Sequence, residues 1–170
     1  MFTHKPYTNT TFTRRVDYDG GRKRPPRKVA GVIVCPECGA IYAKGRWTTA
    51  ADAGSHRLAT VAGRSLCVAC QMAERHQTRG YLTLRGAFFD AHEAEIETLL
   101  ENEEARAAED NPLGRILDWD RSIPGVLTIS TSTEHLVERL GRAVYRAFGG
   151  DIDFGFSHAN KFAHAYWVRE

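Results

Sequence analysis

Four cysteines, in the pairs Cys35-Pro36-Glu37-Cys38 and Cys67-Val68-Ala69-Cys70, constrain this chain more than any other feature of it. In a Cys-x-x-Cys turn both sulfurs project from one side of a tight loop. Two such loops brought face to face supply four thiolates, the donor set of a tetrahedral zinc site. Pro36 pre-sets the turn, and Gly39 can take the positive φ that releases the chain from the knuckle into a strand. The expected ligands of Zn²⁺ are therefore Cys35, Cys38, Cys67 and Cys70. Four thiolates complete the coordination, so such a site is structural and keeps no open position for a reacting water. The rival is a pair of redox motifs, which normally head a helix in a βαβ unit, and nothing before Cys35 or Cys67 supplies that arrangement twice. A disulfide staple would suit a secreted chain. The start Met-Phe-Thr-His-Lys-Pro has no apolar signal segment, and no apolar run is long enough to span a bilayer, so a reducing cytoplasm is the expected compartment.

Charge is segmented along the chain. The net count is +6 over residues 1–34, +4 over 35–85, −8 over 86–111 and 0 over 112–170. A basic front half followed by an acidic helix predicts a polyanion-binding surface with a separate face turned away from it. Residues 1–28 carry no helical or strand period and read as a flexible basic tail. The run Arg22-Lys23-Arg24-Pro25-Pro26-Arg27-Lys28 is held extended by its prolines, which keeps the cations accessible for phosphate contact.

Between the cysteine pairs lie 28 residues, so a hairpin or loop projects between the knuckles. Ile41 to Trp47 is the expected hairpin arm. Its Tyr42, Lys44, Arg46 and Trp47 combine stacking surfaces with cations, as single-stranded or looped RNA requires. In a ribbon with little apolar core, Tyr42 and Trp47 equally suit the role of covering the metal site. His56 adds no ligand to a site already complete.

Gly80 to Leu84 reads as a strand. A long helix follows, with Phe88 or Phe89, His92, Ile96, Leu99 or Leu100 and Glu103 on one side, and Glu93, Glu97, Glu101 and Glu104 on the other. Asn111-Pro112 ends it. His92 reads as a packed, hydrogen-bonded residue rather than a base. The last third reads as a compact unit with a strand over Val126–Ser130 and a capping box of Thr131 and Glu134. A helix striped by Leu136, Leu140, Val144 and Phe148 runs on to Gly149-Gly150, and a hairpin over 152–168 closes the unit. Arg139, Arg142 and Arg146 form one basic stripe on that helix, either a solvated face or a second phosphate contact. No glycine-rich phosphate loop and no nucleophile–histidine arrangement is present, so a non-catalytic protein is expected.

Cys-Pro-Glu-Cys-Gly-Ala-Ile-Tyr at 35–42, Lys-Gly-Arg-Trp at 44–47, Cys67-Val-Ala-Cys70, Asn111-Pro-Leu-Gly-Arg-Ile116 and Tyr166-Trp-Val-Arg169 together resemble a small family of bacterial zinc-ribbon proteins. More distantly, the chain is similar to the zinc-binding N-terminal region of the archaeal and eukaryotic large-ribosomal-subunit export adaptor. The resemblance runs from about Val34 to the C-terminus. It implies the same four cysteine ligands and a partner in the ribosome or its RNA, with ribosomal proteins as further contacts. It does not imply export, because the adaptor's additional cysteine pairs and further domains are absent.

The expected architecture is α+β: a basic tail (1–28), a four-cysteine zinc ribbon (29–84), a long acidic-faced helix (85–111) and a small β-α-β-β unit (112–170). The expected function is binding to ribosomal RNA or a ribosomal subunit, in assembly, dormancy (hibernation) or translation, without a membrane or a small-molecule substrate. The alternatives are a protein–protein adaptor using the ribbon and the acidic helix, or a thiol redox or metal sensor.

Overall fold

A computed structural model describes residues 30–53, 60–157 and 159–170. The expected tail, with Arg22, Lys23, Arg24, Arg27 and Lys28, lies outside the described residues, as does His56. The mixed α and β content agrees with the expectation and is distributed over two mixed sheets.

The first sheet comprises β1 (Val32–Val34), β2 (Ile41–Ala43), β3 (Arg46–Thr48) and β4 (Val61–Arg64), in the order β3-β2-β1-β4. Strands β2 and β3 form the expected hairpin, joined by Lys44 and Gly45 with φ of 50° and 83°. Positive φ at both central residues matches the right-handed twist of the flanking strands, so the turn stays tight. Among the described residues Val32, Ile41, Ala43 and Ala53 form a small buried cluster between these short strands, with Val34 beside them, and Ile33 and Tyr42 are buried as well.

The second unit grows from β5 (Gly80–Arg85), in which Gly80, Leu82 and Leu84 are buried and alternate with Tyr81, Thr83 and Arg85 on the other face. Helix α2 (Ala87–Asp110), β6 (Ile116–Asp120), β7 (Val126–Thr131), α3 (Glu134–Phe148), β8 (Asp151–Ser157) and β9 (Phe162–Val168) follow. They are preceded by the short α1 (Val68–Glu74). The strand order is β6-β7-β5-β9-β8, with β5 parallel to β9 and all other neighbours antiparallel. β5-α2-β6 is a split βαβ unit with β7 between its two parallel strands, and β7-α3-β8 is a second, with β5 and β9 between its strands.

Helices α2 and α3 cover one face of this sheet. Leu82, Leu84, Leu127, Ile129, Ala165 and Trp167 from the strands meet Phe89, Ile96, Leu100, Leu136, Val137, Leu140 and Val144 from the helices. Gly80 is required at the crossing, because a Cβ there would lie 2.4 Å from the Ala163 carbonyl oxygen and 2.5 Å from Val137.

Three expectations change. Strand β5 does not close the ribbon but is the central strand of the second sheet, and α2 belongs to the same core rather than standing alone. The expected four-element unit is accordingly a β-α-β-β-α-β-β unit. The alternation of β5 is the same whichever sheet it joins, and its partners lie far along the chain. Finally, the cap of α3 is Thr133, whose Oγ1 accepts the N–H of Leu136 at 3.3 Å. Thr131 is retained by strand pairing opposite Gly80.

Candidate metal centre and the surfaces around it

The first knuckle, Cys35 to Gly39, links β1 to β2. The Cys35 N–H donates to the Ala40 carbonyl at 2.8 Å and the Gly39 N–H to the Cys35 carbonyl at 3.0 Å, with Gly39 at φ 73°. The second knuckle follows β4, and Cys67 is itself the N-cap of α1, accepting from the Cys70 N–H at 3.5 Å. Neither the helix nor its cap was expected, although Val-Ala-Cys-Gln-Met-Ala-Glu contains no glycine or proline to oppose one. A helix head behind the second pair is a feature shared with redox motifs, but here it is fed by a strand of a ribbon sheet.

The four cysteines converge as the spacing predicts. Their sulfurs all lie within 4.8 Å of one another, with Cys38 and Cys67 at 3.6 Å, and all four cysteines are free thiols. A tetrahedral ion with bonds of about 2.3 Å requires sulfurs roughly 3.8 Å apart, so the cluster could hold a metal ion with little adjustment. Cys35 and Cys67 are buried, whereas Cys38 and Cys70 reach partial exposure.

Electrostatics divides the thiols. Burial raises Cys35, but the N–H groups of Cys38, Cys67 and Glu37 outweigh it and hold that thiol down at about 7. Burial pushes Cys67 up to about 11 despite the N–H of Cys70. Cys70 is pushed up as well, by burial first and then by the neighbouring Cys67 and Cys38. A dication would replace these protons and make the crowding of four sulfurs favourable.

Around the cluster pack Ala40, Ala69, Trp47, Leu66 and Leu113. Trp47 is half-buried and lies 5.3 Å from Tyr42, ring to ring, at 59°. Tyr42 is only 5% exposed, which withdraws its face from any base. Tyr42 therefore serves the interior of the ribbon, as one of the two readings of the hairpin held. Lys44 and Arg46 are exposed on the same hairpin.

The Asn111 to Ile116 stretch is the joint between the two units. Leu113 packs on the cysteine cluster, the Ser132 hydroxyl accepts the N–H of Arg115 at 2.7 Å, and a Glu104 carboxylate accepts the N–H of Ile116 at 2.8 Å. The Tyr166 to Arg169 stretch divides its roles. Tyr166 faces away from the core, Trp167 is buried with its Nε1 donating to the Gly149 carbonyl at 2.7 Å, and the Arg169 guanidinium lies 3.7 Å over the Phe88 ring. His92 stacks on Phe88 at 3.9 Å, and its Nδ1 sits 3.0 Å from the Phe88 carbonyl at a kink in α2. It is thus a packed residue with a local partner.

The basic stripe of α3 does not face open solvent alone. Arg139, Arg142 and Arg146 line a groove of about 620 Å³ between α2 and α3. Arg139 pairs with Glu103 at 3.0 Å and Asp110 at 3.6 Å, and Arg142 pairs with Glu138 at 2.7 Å. Burial would raise Glu103, but Arg139 and Arg106 outweigh it and hold its carboxyl below the usual range. The acidic face of α2 is likewise engaged: Arg121 meets Glu93 and Glu97, and Arg115 meets Glu104. No helix among the described residues is long and apolar enough to cross a membrane.

Compared with protein-family models, curated proteins and solved structures, the chain finds no match in any of the three.

Proposed function

We infer that this chain is a cytoplasmic, non-catalytic zinc-ribbon protein that binds the ribosome or ribosomal RNA. The observation that carries the reading is the four-thiol cluster with the cationic hairpin of Lys44 and Arg46 built directly onto it. Zn²⁺ is the ion suited to four thiolates in a tetrahedron, and Cys35, Cys38, Cys67 and Cys70 would hold it. Bound there, it would supply structural cross-linking, fixing β1, the β2–β3 hairpin and α1 relative to one another. The basic segment Arg22 to Lys28 would add phosphate contacts beside that rigid frame, and Trp47 offers its remaining exposed edge to a base. The arginines of α3 contribute less. Arg139 and Arg142 would have to exchange carboxylate partners for phosphate, which leaves Arg146 as the freest of the three.

A protein–protein adaptor built on the acidic helix is the weaker reading, because arginines of the same chain already neutralise much of that face. A thiol sensor draws support from the low Cys35 thiol. In it, loss of the metal would free a nucleophilic thiolate beside Cys38.

The test combines metal analysis with sedimentation. The purified protein should contain one zinc ion per chain and co-sediment with ribosomes at low salt. Its affinity should fall steeply as salt rises, because each phosphate contact releases a counterion. Protein that carries no zinc, with a reversible Cys35–Cys38 disulfide, would favour the sensor, and failure to co-sediment would remove the ribosome.

A further inference from the structure

Helices α2 and α3 cover one face of the five-stranded sheet, and on the other, among the described residues, only the short α1 approaches, at the β6 side. On the other, side chains are arranged in three bands across the strand order. One edge, β6, presents the exposed Asp118 and Asp120, and the opposite edge, β8, presents the exposed Asp151 and Asp153. Between them β5 and β9 carry Tyr81, Phe162 and Tyr166, with the exposed Arg85 and His164 among them; Tyr81 lies 5.6 Å from Phe162 and is 40% exposed. The middle band already accommodates a guanidinium, since Arg85 lies 4.9 Å over the Tyr166 ring. Acid, aromatic, acid is a poor surface for a phosphate backbone and a good one for a cationic, proline-containing peptide. Carboxylates attract the cations, and aromatic faces take prolines and guanidinium groups.

We propose that this face is the docking site of the chain's own segment Arg22-Lys23-Arg24-Pro25-Pro26-Arg27-Lys28. The dimensions agree. Five strands at about 4.8 Å spacing put the two acidic edges about 19 Å apart. Six residue steps from Arg22 to Lys28 in an extended polyproline conformation also cover about 19 Å. Cations, two prolines and cations then align with acids, rings and acids. The ribbon's α1 borders the β6 edge through Met72, Ala73 and His76 around Leu117 and Asp118, so in this proposal the segment enters from that edge. Lys28, close to the start of β1, meets Asp118 and Asp120, and Lys23 reaches Asp151 and Asp153. The docked segment withholds its cations from polyanions until one strong enough displaces it. Docking itself does not rest on RNA binding.

The test uses the full chain, free of nucleic acid, at low salt. Zero-length carbodiimide coupling followed by peptide mass spectrometry should join Lys28 to Asp118 or Asp120, and Lys23 to Asp151 or Asp153, with a yield independent of protein concentration. In the Tyr81→Ala/Tyr166→Ala variant, trypsin should cut at Arg22, Lys23, Arg27 and Lys28 about tenfold faster than in the parent, as loss of two ring contacts implies. Equal cutting rates, or cross-links absent from this face, overturn the proposal. Cross-links that grow with concentration in a dimer band overturn it in favour of a second copy. Protection of Tyr81 and Tyr166 by a single-stranded RNA oligonucleotide, with no cross-links in its absence, overturns it in favour of RNA. The other failures leave ribosome binding untouched, since sedimentation reads it separately.

Discussion

The two sheets of this protein are stabilised in different ways. The ribbon has strands of three or four residues and buries few apolar side chains in small clusters, whereas the second unit buries a continuous layer from β5, β7 and β9 against two helices. Apolar burial contributes roughly 25 cal/mol per Å², so a region with so little of it needs another source of order. The four thiols supply the place for one. Binding a structural zinc ion contributes on the order of 10 kcal/mol, comparable to the entire stability of a small domain. A cross-link can therefore do for the ribbon what a core does for the neighbouring unit.

Metal removal should break this comparison most sharply. Cys67→Ser, or a strong chelator, is expected to cost the ribbon most of that ~10 kcal/mol, seen as loss of amide protection in 32–48 and 61–74. Protection of β5, β7 and β9 should persist. Equal loss in both units would show that they do not differ in this way.

The next effect is on pH. Because Cys67 is held near 11 and Cys70 is also raised, both carry protons at neutral pH that a bound metal ion would have to displace. Lowering pH favours the proton over the metal. Zinc affinity should fall about 100-fold or more per pH unit below neutrality, two protons at least being released on binding. Competition titrations at several pH values check it, and a flat profile would contradict the burial of these thiols.

Leu140→Ala should destabilise only the second unit, by about 2–5 kcal/mol, while zinc content stays unchanged. Thr133→Ala removes the cap of α3 and should cost about 1 kcal/mol in denaturant unfolding. Arg139→Ala should cost less than about 1 kcal/mol, since its ion pairs are partly open to water.

Much of this was legible beforehand, and the reason is locality. Cysteine spacing, the Lys44-Gly45 turn, the helix over 87–110 and its stop at Asn111-Pro112, and the hairpin of β8 and β9 depend on neighbouring residues. The start of α3 was missed by two residues because Thr131 and Thr133 are equally good caps in isolation. Pairing of β7 with β5 engages Thr131, and the Ser132 hydroxyl is bonded to Leu113 and Arg115, which leaves Thr133 for the role. Helix α1 was missed because its cap is also a candidate ligand, and cysteine is not read as a capping residue. The stripe of Arg139, Arg142 and Arg146 was legible as a stripe, but Glu103 and Asp110 reach it from another helix.

The sequence by itself therefore determined the two cysteine knuckles, the segmentation of charge and most element boundaries, because each rests on chemistry within a few residues. Tertiary structure decided which sheet β5 joins, which cations are already neutralised, and that Tyr42 is buried while Tyr81 and Tyr166 are turned outward. Those outcomes depend on packing between segments distant along the chain, and alternation alone states that a strand has two faces without saying which one a helix will cover.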